Sequence, residues 1–269
     1  NKVNYSGALL QAAALNGIAP GSPTYNAIAA STPGLDSSAK VEGDDDAWGW
    51  NIGILVDVTK NTRIGASYRS EIEYDVNGNA SFDNPTPVGP PALQPTLDLL
   101  NGGIKADITL PAIVNVSVFH QLNDRWDLMA DVQWTGWSSI SELNFVRTDG
   151  TGSLSNTPEN FDDAWRIAVG ANYRHSDKWM FRGGIAWDQT PVNTADRTPR
   201  LPDEDRWWFS VGAQYKHSKN LKLDAGFTYI NAKDASISQN AGSTAAYGLI
   251  NGSYDAYVTI FSFQGTYTF

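Results

Sequence analysis

Arg69, Arg166, Arg182 and Arg206 are the residues through which this chain of 269 residues could hold a ligand by charge. Each sits beside or between apolar and aromatic residues, as in Trp165-Arg166-Ile167. An arginine facing a partly dry pocket grips a carboxylate through two parallel, charge-assisted N–H bonds. The same stretches also carry Lys105, Glu71, Glu73, Asp107, Asp131 and Asp188. An internal network of arginines and carboxylates that satisfies its own charges is therefore the competing reading, and for any single arginine it is the favoured one. The acidic groups Asp44–Asp46 and Asp203–Asp205 could attract divalent cations. Their spacing matches no defined metal loop, and a solvated strand end or pairing with Arg206 accounts for them better.

Enzymatic chemistry finds little support. His120, His175 and His217 each fall at a short turn, apart from one another and with no serine placed for activation through a Ser–His pair. The sequence has no glycine-rich phosphate loop, zinc spacing or nucleophile elbow. With no cysteine, disulfides and thiolate chemistry are excluded. No catalytic residue, metal or cofactor is expected. The net charge of −10 argues against nucleic acid, which needs a basic surface.

What positions the arginines is a two-residue alternation, which places one residue set on each face of a strand. Trp165, Ile167, Val169, Ala171 and Tyr173 alternate with Arg166, Ala168, Gly170, Asn172 and Arg174. Trp179 to Trp187 and Trp207 to Tyr215 repeat the form. Seven segments are clear: 47–58, 62–80, 104–120, 126–135, 164–174, 179–188 and 206–215. Two more, 221–230 and 254–269, bring the count to nine strands. A change of phase near Gly136–Trp137 suggests a bulge.

The connections alternate between short (around Lys60–Asn61, 122–125, 175–178 and 217–220) and long (81–103, 146–163, 189–205 and 231–253). Antiparallel hairpins with short turns at one end and long loops at the other characterise outer-membrane barrels. With the C-terminus on the turn side, the first strand runs inward and residues 1–38 form an external loop. No apolar run is long enough for a transmembrane helix. The mean hydropathy of −0.33 would by itself suggest a soluble protein, but a membrane barrel can have that value, because only alternate residues face lipid. A soluble barrel or sandwich also alternates. Aromatics recurring at both ends of the apolar face (Trp165 with Tyr173, Trp179 with Trp187, Trp207 with Tyr215) argue instead for two membrane interfaces. The expected fold is all-β: a transmembrane antiparallel up-and-down β-barrel portion over 39–269, with a long extracellular loop at 81–103.

An ordered series of motifs makes the resemblance specific. It begins with Lys40-Val41-Glu42-Gly43-Asp44, Trp48-Gly49-Trp50-Asn51-Ile52-Gly53 and Arg63-Ile64-Gly65-Ala66-Ser67-Tyr68-Arg69-Ser70. Leu110-Pro111, His120-Gln121-Leu122-Asn123-Asp124-Arg125-Trp126 and Trp134-Thr135-Gly136-Trp137-Ser138-Ser139 follow. Asp163-Ala164-Trp165-Arg166, Asp188-Gln189-Thr190-Pro191-Val192 and Leu201-Pro202-Asp203-Glu204-Asp205-Arg206 complete it. Across 40–269 this series resembles the FadL family of long-chain fatty acid transporters. The resemblance implies a fourteen-stranded barrel plugged by an N-terminal hatch, with these nine strands as its last nine. The hatch and five strands are then expected to lie outside this sequence, because nine strands alone leave two unpaired edges that lipid cannot satisfy.

In the family, hydrophobic substrate lands in a groove between two external loops and moves to a pocket inside the barrel. A hatch movement and a lateral opening release it. The corresponding loops here are 1–38, with a short helix expected over 8–15, and 81–103. Leu9, Leu10, Leu15 and Ile18 in the first and Leu93, Leu97, Leu99 and Leu100 in the second are the groove candidates; Arg69, Arg166, Arg182 and Arg206 are the carboxylate candidates inside. The loops could equally bury their apolar residues against each other as a cap. Some family members carry Lys where this chain has Asp162, a departure that weakens the carry-over of a carboxylate ligand at that position.

The implied function is passive outer-membrane uptake of long-chain fatty acids or similar hydrophobic small molecules. Uptake of uncharged aromatic hydrocarbons and a structural or adhesive barrel are the alternatives. The expected surroundings are the lipid and lipopolysaccharide of a Gram-negative outer membrane, with a monomeric barrel when complete.

Overall fold

The computed structural model describes residues 2–3, 18–19, 21–31, 37–83, 101–239 and 250–269. In chain order its elements begin with β1 (Lys2–Val3), a helix α1 (Pro23–Ser31), β2 (Ser37–Asp44), β3 (Asn51–Thr59), β4 (Thr62–Arg69) and β5 (Ile72–Asp83). Next come β6 (Gly102–Leu110), β7 (Ile113–Gln121), β8 (Trp126–Thr135), β9 (Glu142–Arg147), β10 (Ser153–Pro158) and β11 (Ala164–Arg174). The last are β12 (Trp179–Asp188), β13 (Arg206–Lys216), β14 (Leu221–Ala232), β15 (Ala235–Gln239), β16 (Ile250–Tyr254) and β17 (Tyr257–Tyr267).

One antiparallel sheet of nine strands runs β3-β4-β7-β8-β11-β12-β13-β14-β17. These are the nine strands the alternation predicts. The sheet is open: β3 and β17 are its edges, and both are exposed along their whole length. Trp165, Ile167 and Val169 on one face are 45%, 46% and 51% exposed. Trp207, Phe209 and Val211 lie on the same face and are equally open. A water-soluble sheet would cover such a surface, whereas lipid solvates it. The opposite face is polar and holds its own hydrogen bonds. Asn115 donates to Asp131 at 2.8 Å, and the Ser210 and Thr228 hydroxyls meet at 3.0 Å.

The short turns are fixed by their own side chains. The Asn123 carboxamide oxygen accepts the N–H groups of Arg125 and Trp126 at 2.9 and 3.0 Å. The Ser176 hydroxyl accepts from Trp179 at 3.2 Å, and that of Ser218 from Leu221 at 3.0 Å. Such Asx- and Ser-turns close a hairpin locally and so set its register.

At the long-loop end the structure departs from the sequence reading. The segments expected at 62–80 and 104–120 each divide, at Ser70–Glu71 and at Pro111–Ala112. Their outer halves, β5 and β6, enter a second sheet of order β1-β2-β5-β6-β9-β10. Pro111 has no N–H to give the ladder and so ends β6. On the neighbouring hairpin, the buried Ser70 hydroxyl accepts the Trp50 N–H at 3.0 Å, while the Ser70 N–H donates to the Trp50 carbonyl. β2 crosses the expected 38/39 boundary and pairs with β5, so the nine-stranded sheet begins only at Asn51. The expected loops 146–163 and 231–253 contain much of the hairpins β9–β10 and β15–β16. Near Gly136 the phase change is a single 3₁₀ turn, Trp137–Ser139. The short helix expected at 8–15 lies outside the described residues, and α1 follows it at 23–31.

Candidate functional site

Three of the four arginines meet at the long-loop end of the polar face. Arg69 ends β4, Arg166 lies near the start of β11, and Arg206 opens β13. Strand pairing sets Arg166 opposite Asp188 of β12, and Asp188 opposite Arg206. All line one cavity of about 590 Å³. Its walls are otherwise largely apolar: Ile72, Leu110, Pro111 and Ile113 on one side, Trp137 and Phe161 on another, and Pro191, Val192 and Leu201 from the 189–205 connection. Trp137 and Phe161 meet edge to face, 6.2 Å between centroids.

The arginines differ in their electrostatic state. Arg206 is neutralised twice, by Asp188 at 3.2 Å and Asp203 at 3.3 Å. Arg182 lies lower on the sheet, paired with Asp224 at 2.9 Å; Asp224 also accepts from Gln214. It lines a different cavity, of about 710 Å³, whose floor is mostly small residues including Gly184, Gly212 and Gly226. Arg182 is thus a network residue, as the sequence favoured for any one arginine. Arg166 has no carboxylate partner among the described residues. Its guanidinium carbon lies 5.3 Å from the centre of the Trp208 ring, a cation–π distance. Its Nε is buried with no hydrogen-bond acceptor, as are Arg206 Nε and the Trp208 indole N–H. Arg69 is exposed and likewise without an ion pair among the described residues. Among the described residues the site therefore has two arginines without an ion pair, and unused donors, above an apolar chamber.

The 189–205 connection is held in place from within. The Thr190 hydroxyl donates to Asp203 at 2.6 Å and its N–H to Asp205 at 3.0 Å. Arg197, 2% exposed, bonds Glu204 at 2.7 Å and the Ser236 carbonyl at 3.1 Å. Lys233 approaches Glu204 at 3.8 Å. These contacts fix the connection that carries Val192 and Leu201.

Beside Phe161, Asp163 accepts the Ser138 N–H at 3.1 Å, and hydrogen bonding by Ser138 holds its carboxyl below the usual carboxylate range. Burial pushes the Glu159 carboxyl up; Arg200 opposes that shift and Asp196 adds to it. No group of histidine, cysteine or acidic residues able to hold a metal occurs among the described residues.

Of the groove candidates, only Ile18 is described, partly buried. Leu9, Leu10, Leu15, Leu93, Leu97, Leu99 and Leu100 lie outside the described residues. Sequence reasoning did not single out Trp137, Phe161, Val192, Leu201 or Trp208 as site residues. All but Phe161 and Trp208 stand inside the motif series, which was the available signal.

The family model described as Outer membrane protein transport protein (OMPP1/FadL/TodX) matches residues 2–269. The chain belongs to this family of outer-membrane transport proteins. A long-chain fatty acid transport protein of Escherichia coli (strain K12) is 33% identical over 222 residues, 79% of this chain and 49% of that protein. Outer membrane protein P1 of Haemophilus influenzae is 29% identical over 205 residues, 75% of this chain and 42% of its own length. The chain spans about half the length of the curated relatives it matches. A Pseudomonas aeruginosa FadL homologue shares the fold at a TM-score of 0.77 and 24% identity, covering 99% of this chain and 60% of its own. In this OMPP1/FadL/TodX chain the apolar face is the lipid face, and the cavity lies at the long-loop end of the opposite, polar face. Its location is the Gram-negative outer membrane.

Proposed function

We propose that the protein carries long-chain fatty acids or similar amphiphiles across the outer membrane, with the carboxylate held at Arg166 and the tail in the apolar chamber. One observation carries the reading: a half-buried arginine with an unused donor and, among the described residues, no carboxylate partner faces a largely apolar cavity. Arg182 and Arg206, by contrast, each have a carboxylate partner. An anionic head group supplies the missing partner, and burying the tail supplies most of the affinity, about 0.8 kcal/mol per CH₂. Arg69 at the rim and the external loops 1–38 and 81–103 would gather the substrate. The role is passive transport, with no enzymatic step.

The relatives' names agree with this reading: curated relatives are called long-chain fatty acid transport proteins. One fold neighbour, at a TM-score of 0.51 and 16% identity, is called a toluene transporter of P. putida. Uptake of labelled oleate and labelled toluene by cells lacking their own transporter, with and without the full-length protein, tests the proposal. Saturable oleate uptake is expected. Toluene uptake with no oleate uptake would replace fatty acids with uncharged hydrocarbons as the substrate.

A further inference from the structure

The short-turn end of the sheet carries a charge opposite to that of the chain as a whole. Arg125, Lys178, Lys216, Lys219 and Lys222 are all exposed there. None has an ion-pair partner among the described residues. The acids around them are fewer. Asp127 is taken by Arg174 at 2.6 Å and Asp224 by Arg182, which leaves Asp124 and Asp177 in the turns and the terminal carboxylate beyond Thr268, itself bonded to Asn220. A net positive rim thus stands on a chain of net charge −10.

Backbone pairing holds these cations together. The Lys216 N–H donates to the Lys178 carbonyl at 2.8 Å, which joins the two turns; Lys216 and Lys222 stand opposite one another on the polar face, where Lys222 lines the cavity beside Arg182, and Arg125, Lys178 and Lys219 in the turns are left toward the lipid rim. The turns that present them are locked by Asn123, Ser176 and Ser218, so the charges cannot simply swing apart by rearranging the backbone.

A band of aromatic rings on the lipid side fixes the depth of this rim. Trp126 meets Tyr173 at 4.7 Å, and Trp179 meets Tyr215 at the same distance. His175 bridges Tyr173 and Phe181, each 6.0 Å away, and His217 continues the band beyond Tyr215. Tryptophan and tyrosine settle where acyl chains give way to head groups. The cations one step beyond them therefore stand at the height of lipid phosphates. Short turns mark the periplasmic side, where the leaflet is phospholipid.

We infer that this rim is a docking collar for anionic phospholipid head groups of the periplasmic leaflet, with Arg125, Lys178 and Lys219 as its principal phosphate contacts. Basic clusters beside an aromatic interface bind anionic lipid with a strength that falls as salt rises.

The test reconstitutes the full-length protein in nanodiscs of phosphatidylethanolamine containing a minority of phosphatidylglycerol. After mild detergent extraction, the lipids that remain bound are weighed by native mass spectrometry. The wild type is expected to retain phosphatidylglycerol at about threefold or more over its bulk ratio, and high salt is expected to erase that excess. The triple variant Arg125→Gln, Lys178→Gln, Lys219→Gln should retain the bulk ratio, its assembly checked by heat-modifiable gel mobility. A wild type that retains only the bulk ratio, or a folded triple variant that keeps the excess, overturns the collar. Should the triple variant not assemble, an excess in the wild type that is insensitive to salt overturns it equally.

Discussion

Replacing Arg166 with glutamine separates recognition of a head group from burial of a tail. Among the described residues Arg166 has no carboxylate partner to leave stranded, since Asp188 keeps Arg206 at 3.2 Å. The wall should therefore stay intact. A hydrogen bond to a charged group contributes about 1.5–3 kcal/mol, and Arg166 is only half-buried, so the lower part of that range applies. The affinity for a long-chain carboxylate should fall about tenfold, by no more than about a hundredfold. An alcohol of the same chain length, which offers no charge, should bind nearly as before. Isothermal titration of the purified full-length protein with oleate and oleyl alcohol measures both. Equal losses for acid and alcohol, or no loss for the acid, would refute the reasoning.

Other consequences follow from the charge networks. Asp127, with a side chain only 2% exposed, binds Arg174; Asp127→Ala should lower stability by about 1–3 kcal/mol in urea unfolding, since Arg174 can partly rehydrate. Arg197→Met should free the 189–205 connection and speed tryptic cleavage after Arg200 by about one to two orders of magnitude, with Glu204 left the Asp205 N–H at 3.2 Å and Lys233 at 3.8 Å. Glu159 has a raised pKa, so ionising it costs stability: the penalty is absent below its ordinary range and grows as pH rises through the raised value. Glu159→Gln should therefore slow amide exchange in residues 159–163 at neutral pH and change nothing in acid. Equal protection in the two proteins at neutral pH would contradict this.

The sequence made the nine-stranded sheet legible because a strand with lipid on one side and a polar lumen on the other must alternate, and Trp165–Tyr173 and Trp207–Tyr215 do so without a break. It hid the second sheet for the same reason. The alternation in 62–80 and 104–120 carries on past Ser70 and Pro111, and only the missing N–H of Pro111 hints that the ladder ends there. The arginines were legible by parity, which places Arg166 and Arg206 on the inner face. Parity could not tell that Asp203 folds back onto Arg206 while Arg166 stays unmatched, because the loop carrying Asp203 has no period. Trp137, Val192 and Leu201 reach the cavity from a 3₁₀ turn and that same irregular connection, where no pattern announces a wall.

The central claim, that the outer lumen holds an amphiphile head at Arg166 and its tail in the apolar chamber, is tested most directly by photolabelling. The full-length protein in membranes is irradiated with a long-chain fatty acid carrying a diazirine near its tail, and the adducts are mapped by mass spectrometry. Adducts on Trp137, Phe161, Val192 or Leu201 that excess oleate displaces are the predicted result. Labelling confined to lipid-facing residues such as Phe209 and Val211, and unaffected by oleate, would contradict it.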